Sequence, residues 1–261
     1  MKTQVTVSDM VKLLEEIAPP ELAEDWDNVG LMLGRCGKPV RRLLLALDMT
    51  GETAAQAIAY RADMLVTHHP AIFRKLGRIT DADWQQKLLL QLAENGVAVY
   101  SAHTNLDCVA QGVNDSLVKR LHLADDDVLD SGTGLGRIGS VEPRSLNEFA
   151  AFVKKALRAD YVAVGDAGRP VRRVAVCGGA GADLAAVALA KGADTLVTGD
   201  VKYHSAQQAV FSGLNIIDAG HQATEWPVLE DLADRLSLRL SEKNWNVVLK
   251  VAQETLLLRH V

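Results

Sequence analysis

Three short stretches hold the residue types that bind metal ions. Leu65-Val66-Thr67-His68-His69-Pro70 sets two imidazoles side by side directly after an apolar run. Ala102-His103-Thr104-Asn105-Leu106-Asp107 adds an imidazole and a carboxylate. Gly220-His221-Gln222-Ala223-Thr224-Glu225 places His221 and Glu225 four residues apart, on one face of any helix that has begun by His221. Taken singly, each stretch has an ordinary reading: surface histidines in a loop, an Asx turn or helix cap, and an i, i+4 side-chain pair. Taken together, His68, His69, Asp107, His221 and Glu225 form a mixed nitrogen and oxygen donor set that suits zinc, manganese, iron or nickel better than calcium. Five donors are too many for one open catalytic zinc, which takes three protein ligands and water, but they suit two cations about 3.5–4 Å apart. His103 is either a further ligand or a neighbour of one. Consecutive strand residues point to opposite faces, so His68 and His69 can share a site only where the chain has left the regular strand, and Pro70 favours this.

A second group could line such a site. In Gly199-Asp200-Val201-Lys202-Tyr203-His204, Lys202 could hold a phosphate or carboxylate, Tyr203 could contact a ligand, and His204, like His103, could carry a proton. The competing reading is a helix start capped by Asp200. Gly178-Gly179-Ala180-Gly181 looks like a phosphate loop but matches neither G-x-G-x-x-G nor G-x-x-x-x-G-K-[ST], which favours a tight structural turn. Asp25-Trp26-Asp27-Asn28 forms a polar aromatic turn that borders the site or an oligomer contact, or else buries its tryptophan. His122 and His260 stand alone and read as surface or satisfied core histidines.

The elements that must position these residues alternate. Short apolar runs at 43–47, 64–67, 97–100, 174–177, 195–198 and 215–217 read as strands; stretches at 53–60, 84–94, 147–157, 182–190 and 228–236 read as helices. Strands alternating with helices predict an α/β fold with mainly parallel sheets. The chain also repeats itself: residues 40–67 align with 171–198 at a constant offset of 131, with 12 of 28 positions identical, among them Val-Arg-Arg and Ala-Asp-x-Leu-Val-Thr. Two similar lobes are therefore expected, residues 1–128 and 129–261, with the break in the turn-rich 125–134 stretch and the C-terminal segment packing back on the first lobe. Ligands of parallel α/β sheets gather at the carboxyl ends of strands, so the metal site is expected in a cleft between the lobes.

Composition limits the alternatives. With 261 residues, 48 % hydrophobic content and a formal charge of −5, the chain can fill a large core and has no global attraction to nucleic acid or anionic membranes. No apolar run reaches the roughly 20 residues of a membrane span, and the N-terminus lacks a leader pattern, so a cytoplasmic location is expected. Three scattered cysteines argue against a disulfide framework.

The ordered set of motifs Trp26-Asp27-Asn28-Val29-Gly30-Leu31, Leu65 to Pro70, His103 to Asp107, Gly112-Val113-Asn114-Asp115, Gly199 to His204 and Gly220-His221-x-x-Thr224-Glu225 covers most of the chain. In this set the protein resembles the Nif-three-like (YbgI-like) family, the GTP cyclohydrolase I type 2 homologues. The resemblance implies two similar α/β lobes, a toroidal homohexamer, and a dinuclear site whose ligands match His68, His69, Asp107, His221 and Glu225 one for one. The long domain that some members insert between their halves has no room between Leu129 and Arg169. Two functional readings follow. One is a hydrolase that uses two divalent cations on a nucleotide or another phosphate-bearing small molecule. The other is a metal-handling or regulatory scaffold, with association of a ring with DNA as a minority reading.

Overall fold

The apolar runs resolve into two sheets. In the computed structural model, which describes residues 4–258, the first sheet contains β1 (Gly30–Leu33), β2 (Arg42–Ala46), β3 (Met64–Thr67), β4 (Ala98–Ser101) and β11 (Val248–Val251), in the order β1-β4-β3-β2-β11. The second contains β5 (Ala124–Val128), β6 (Arg137–Arg144), β7 (Ala163–Gly165), β8 (Val171–Val176), β9 (Thr195–Thr198) and β10 (Asn215–Asp218), in the order β5-β6-β8-β9-β10-β7. The chain is a mixed α/β protein. It forms two units, one of Met1–Val109 with Leu229–Thr255 and one of Ala110–Val228 with Leu256–Val261.

In the first unit β2, β3, β4 and β11 run parallel and only β1 is antiparallel. Every residue of β3 and β4 is buried, as expected for parallel strands covered on both faces. The helix Gly51–Tyr60 starts at Thr50 in a reciprocal side-chain cap with Thr53, and with the helix Trp84–Glu94 it brings Ala54, Ala57, Leu88, Leu89 and Leu92 into the core. The C-terminal strand β11 pairs with β2 of this sheet.

The second sheet departs from the expected mainly parallel arrangement. Only β8, β9 and β10 are parallel to one another; β5, β6 and β7 pair antiparallel. The 125–134 stretch, where the break was expected, lies in β5 and its connection to β6, so the hydrogen-bonded pairing of those strands keeps it inside one sheet and the division falls at 109/110. Phe149 and Val153, on the helix Leu146–Ala156, pack on Val174, Val176, Val197 and Ile217.

The repeat has a physical basis. In the first copy Asp63 Oδ2 accepts the backbone N–H groups of Arg41 and Arg42 at 2.8 and 3.0 Å, and in the second Asp194 Oδ2 accepts those of Arg172 and Arg173 at 2.9 and 2.8 Å. The aspartate before the second strand thus ties down the arginine pair that opens the first. No helix among the described residues is long and apolar enough to cross a membrane.

Candidate metal centre

In the first unit, β3 leads directly into His68 and His69, whose backbone N–H groups continue the pairing with β2 through the carbonyls of Ala46 and Leu47. The His68 and His69 ring centroids lie 5.0 Å apart, and His103, which follows β4, lies 5.3 and 5.6 Å from them. One donor nitrogen from each of the three rings falls within 4.8 Å of the others, a group able to hold a metal ion. Asp107, on the short helix Thr104–Cys108, approaches with its Oδ1 3.6 Å from His68 Nε2.

Each ring is anchored through Nδ1. His68 Nδ1 lies 2.9 Å from the carbonyl oxygen of Ala102, His69 Nδ1 2.9 Å from Asp48 Oδ1, and His103 Nδ1 2.9 Å from Asp27 Oδ1. A carbonyl or carboxylate can only accept, so Nδ1 carries the hydrogen, and a ring bound to metal would do so through the lone pair of Nε2. This is the pattern by which carboxylates and carbonyls orient metal-binding histidines. Burial opposes ionisation of Asp27, but hydrogen bonds from His103 and from the Thr104 hydroxyl and backbone N–H outweigh it and hold the carboxyl well below the usual carboxylate range. Trp26 is exposed, not buried, and stands edge-on 6.1 Å from His103. Asn105 closes the turn by accepting the His103 N–H and donating to Ala18 O.

The second unit builds a matching pair. His221 Nδ1 lies 2.8 Å from Asp200 Oδ2, and His221 Nε2 lies 3.1 Å from Glu225 Oε1 across one turn of the helix His221–Glu225. Glu225 is buried at 3 % exposure, whereas His221 is only half-buried. The loop after β8 makes room for them: a Cβ on Gly179 would sit 2.4 Å from Glu225 Oε1 and 3.2 Å from His221 Nε2, and Gly179 has a φ of +63°. Likewise, a Cβ on Gly199 would lie 2.6 Å from the backbone nitrogen of His221. The glycine-rich loop does not offer its amides to phosphate, because Gly178, Gly179 and Gly181 donate to Asn114 Oδ1, Thr224 Oγ1 and Thr198 Oγ1.

Asp200 does not cap the following helix. Its φ of 53° turns the chain, Lys202 occupies the cap position without a side-chain bond, and the Asp200 carboxylate orients His221 instead. Lys202, Tyr203 and His204 are exposed, Tyr203 stacks edge-on against His204 at 5.3 Å, and His204 joins no metal-donor group among the described residues. His122 is exposed beside Phe152, and His260 lies outside the described residues. None of Cys36, Cys108 and Cys177 forms a disulfide. The orienting residues Asp27 and Asp48 were not singled out as such by sequence reasoning; the available signal for Asp48 was a carboxylate directly after an apolar parallel strand.

Two α/β sheets with oriented imidazoles at the carboxyl ends of their strands define a protein with a histidine-rich cluster able to hold a metal ion. The profile of the Duf34/NIF3 (NGG1p interacting factor 3) family matches residues 5–255, and the chain belongs to that family. It is 35 % identical over 255 residues to the GTP cyclohydrolase 1 type 2 homolog of Clostridium perfringens, covering 95 % of this chain and 97 % of that protein. Among solved structures it resembles the Bacillus cereus protein related to NIF3, with a TM-score of 0.91, 26 % identity and 97 % and 98 % of the two chains covered. It also resembles reduced HcgD from Methanocaldococcus jannaschii, with a TM-score of 0.83, 30 % identity and 97 % and 99 % coverage.

Proposed function

We propose that the protein is a metal-dependent hydrolase holding two divalent cations through His68, His69, Asp107, His221 and Glu225. The observation that carries this reading is the way acceptors face one another. With Nδ1 protonated, the lone pair of His68 Nε2 faces Asp107 Oδ1 at 3.6 Å, and that of His221 Nε2 faces Glu225 Oε1 at 3.1 Å. Lone pair against carboxylate is repulsive unless a proton or a metal cation is shared, and imidazole with carboxylate is the donor chemistry of zinc, manganese, iron and nickel. Divalent cations bound there would supply Lewis-acid activation of water and neutralise charge developing on the substrate. Asp48 and Asp200 hold their imidazoles in the tautomer that binds, and Ala102 O does the same for His68. His103, fixed by Asp27, is either a further donor or the group that moves a proton at Nε2. The names of similar proteins favour a nucleotide or another phosphate-bearing small molecule as substrate. A toroidal homohexamer is the assembly proposed, to be read by light scattering.

The test is elemental analysis of the purified protein beside His68→Ala and Glu225→Ala, followed by metal-dependent turnover of a panel of nucleotides and phosphoesters. Two metals per chain, reduced in both variants together with turnover, is the expected result. Metal-free wild type under metal-replete conditions would overturn the site. Bound metal without turnover of any compound would replace hydrolysis with metal storage or delivery.

A further inference from the structure

The first unit contains a second candidate site, whose lining includes cationic residues and which is built from elements that supply none of the proposed metal ligands. A cavity of about 630 Å³ opens where the chain enters β2 and approaches β11, lined by Arg41, Arg42, Tyr60, Asn244 and Asn246 among others. Its volume is in the range of small-molecule sites. Arg41 and Arg42 are exposed and have no carboxylate partner among the described residues. The nearby Asp63 does not neutralise them: its Oδ2 accepts the two arginine backbone N–H groups, and its Oδ1 pairs with Lys38 at 3.5 Å. Lys250 adds a third positive charge, with Nζ 4.5 Å from the centroid of the Tyr60 ring that lines the cavity.

The geometry is also partly fixed in advance. Arg42 Nε donates to Arg61 O at 2.8 Å, which holds the guanidinium by its inner nitrogen and leaves both terminal nitrogens for a ligand. Two guanidiniums, an aromatic ring under a cation and two carboxamides form a lining that matches multiply charged oxyanions such as phosphate carried on a polar or aromatic body. The excess of positive charge is local, since the chain as a whole is at −5.

We infer that this cavity is a binding site for a phosphate-bearing small molecule, separate from the histidine cluster and independent of the reaction proposed for it. Arg41 and Arg42 grip the phosphate, Tyr60 packs against the body of the ligand, and Asn244 and Asn246 supply polar contacts.

The probes are inorganic pyrophosphate and AMP, titrated calorimetrically into the metal-loaded protein and into Arg41→Gln, Arg42→Gln and His69→Ala. Saturable binding is expected in wild type and in His69→Ala, weakened about tenfold by each arginine substitution, the usual scale for one charge-assisted contact. Arg41→Gln is the decisive variant, because the Arg41 side chain makes no hydrogen bond or ion pair among the described residues and its loss leaves the fold alone. Failure of the wild type to saturate with either probe would overturn the inference. So would equal affinity in wild type and Arg41→Gln, or binding abolished in His69→Ala but intact in Arg41→Gln, which would assign the phosphate to the histidine cluster. Arginine-dependent binding of a single-stranded oligonucleotide without binding of either small probe would also overturn it, in favour of a nucleic-acid surface.

Discussion

Replacing Gly179 by alanine tests whether the loop after β8 exists to admit His221 and Glu225, the proposed ligand pair of the second unit. The new Cβ would stand 2.4 Å from Glu225 Oε1, whereas nonbonded contacts settle near 3.5 Å, so the carboxylate must retreat by about 1 Å. Gly179 also sits at a φ of +63°, where an L side chain costs about 1–2 kcal/mol. The expected outcome is a stability loss of that order and a metal affinity lower by about 10–100-fold, the effect of disturbing a ligand's support. Competition against a fluorescent chelator reads the affinity, and urea unfolding reads the stability. Gly37→Ala is the matched control, because a Cβ there meets nothing within 4 Å. Wild-type metal affinity in Gly179→Ala would refute the argument that this glycine is required by Glu225 and His221.

Other expectations follow from the same geometry. Asp48→Ala frees His69 Nδ1 and should lower metal affinity about tenfold or more in the chelator assay while far-UV circular dichroism stays unchanged. Asp194→Ala removes the acceptor of two backbone N–H groups at a buried position and should cost about 3–5 kcal/mol in urea unfolding with metal content per folded chain unaltered. Burial, with a smaller contribution from Asp48, pushes the Glu254 carboxyl up to about 7 despite the N–H groups of Leu47 and Asp48 that bond it. The folded state therefore binds this proton more tightly than the unfolded state. The resulting stability is complete below the ordinary value of 4.5 and is lost as the pH rises through 7. Relative to wild type, Glu254→Gln should gain up to about 3 kcal/mol in melts as the pH is raised from 4.5 to above 7, whatever offset it shows at low pH from losing one N–H acceptor; a constant difference across that range would show that Glu254 is not the titrating group.

Much of the fold was legible because its signals are local. The strands at 64–67 and 195–198 coincide with their apolar runs, and the helix at 84–94 with its periodicity, since burial on both faces of a parallel strand leaves a continuous hydrophobic run. The repeat was equally visible, and its conserved Arg-Arg and Asp residues form the same backbone clasp in both copies. The antiparallel half of the second sheet was not legible, because the direction in which β5, β6 and β7 pair is set by long-range contacts that no short window contains.

The residue types of the site were likewise determined by the sequence alone: five mixed donors after strand ends, at spacings that put them on turns and short helices. Only the tertiary structure decided which partners orient them. The repeat aligns Asp48 with Gly179 and His69 with Asp200, yet the roles differ between the copies. In the first copy, Asp48 after β2 orients His69 after β3; in the second, Asp200 after β9 orients His221 after β10, while Gly179 clears space for Glu225. The same aligned position thus holds a proposed ligand in one copy and an orienting carboxylate in the other. That assignment depends on which strand end lies beside which, a property of sheet order, whereas the kinds of donor atom on offer are set by the residues alone.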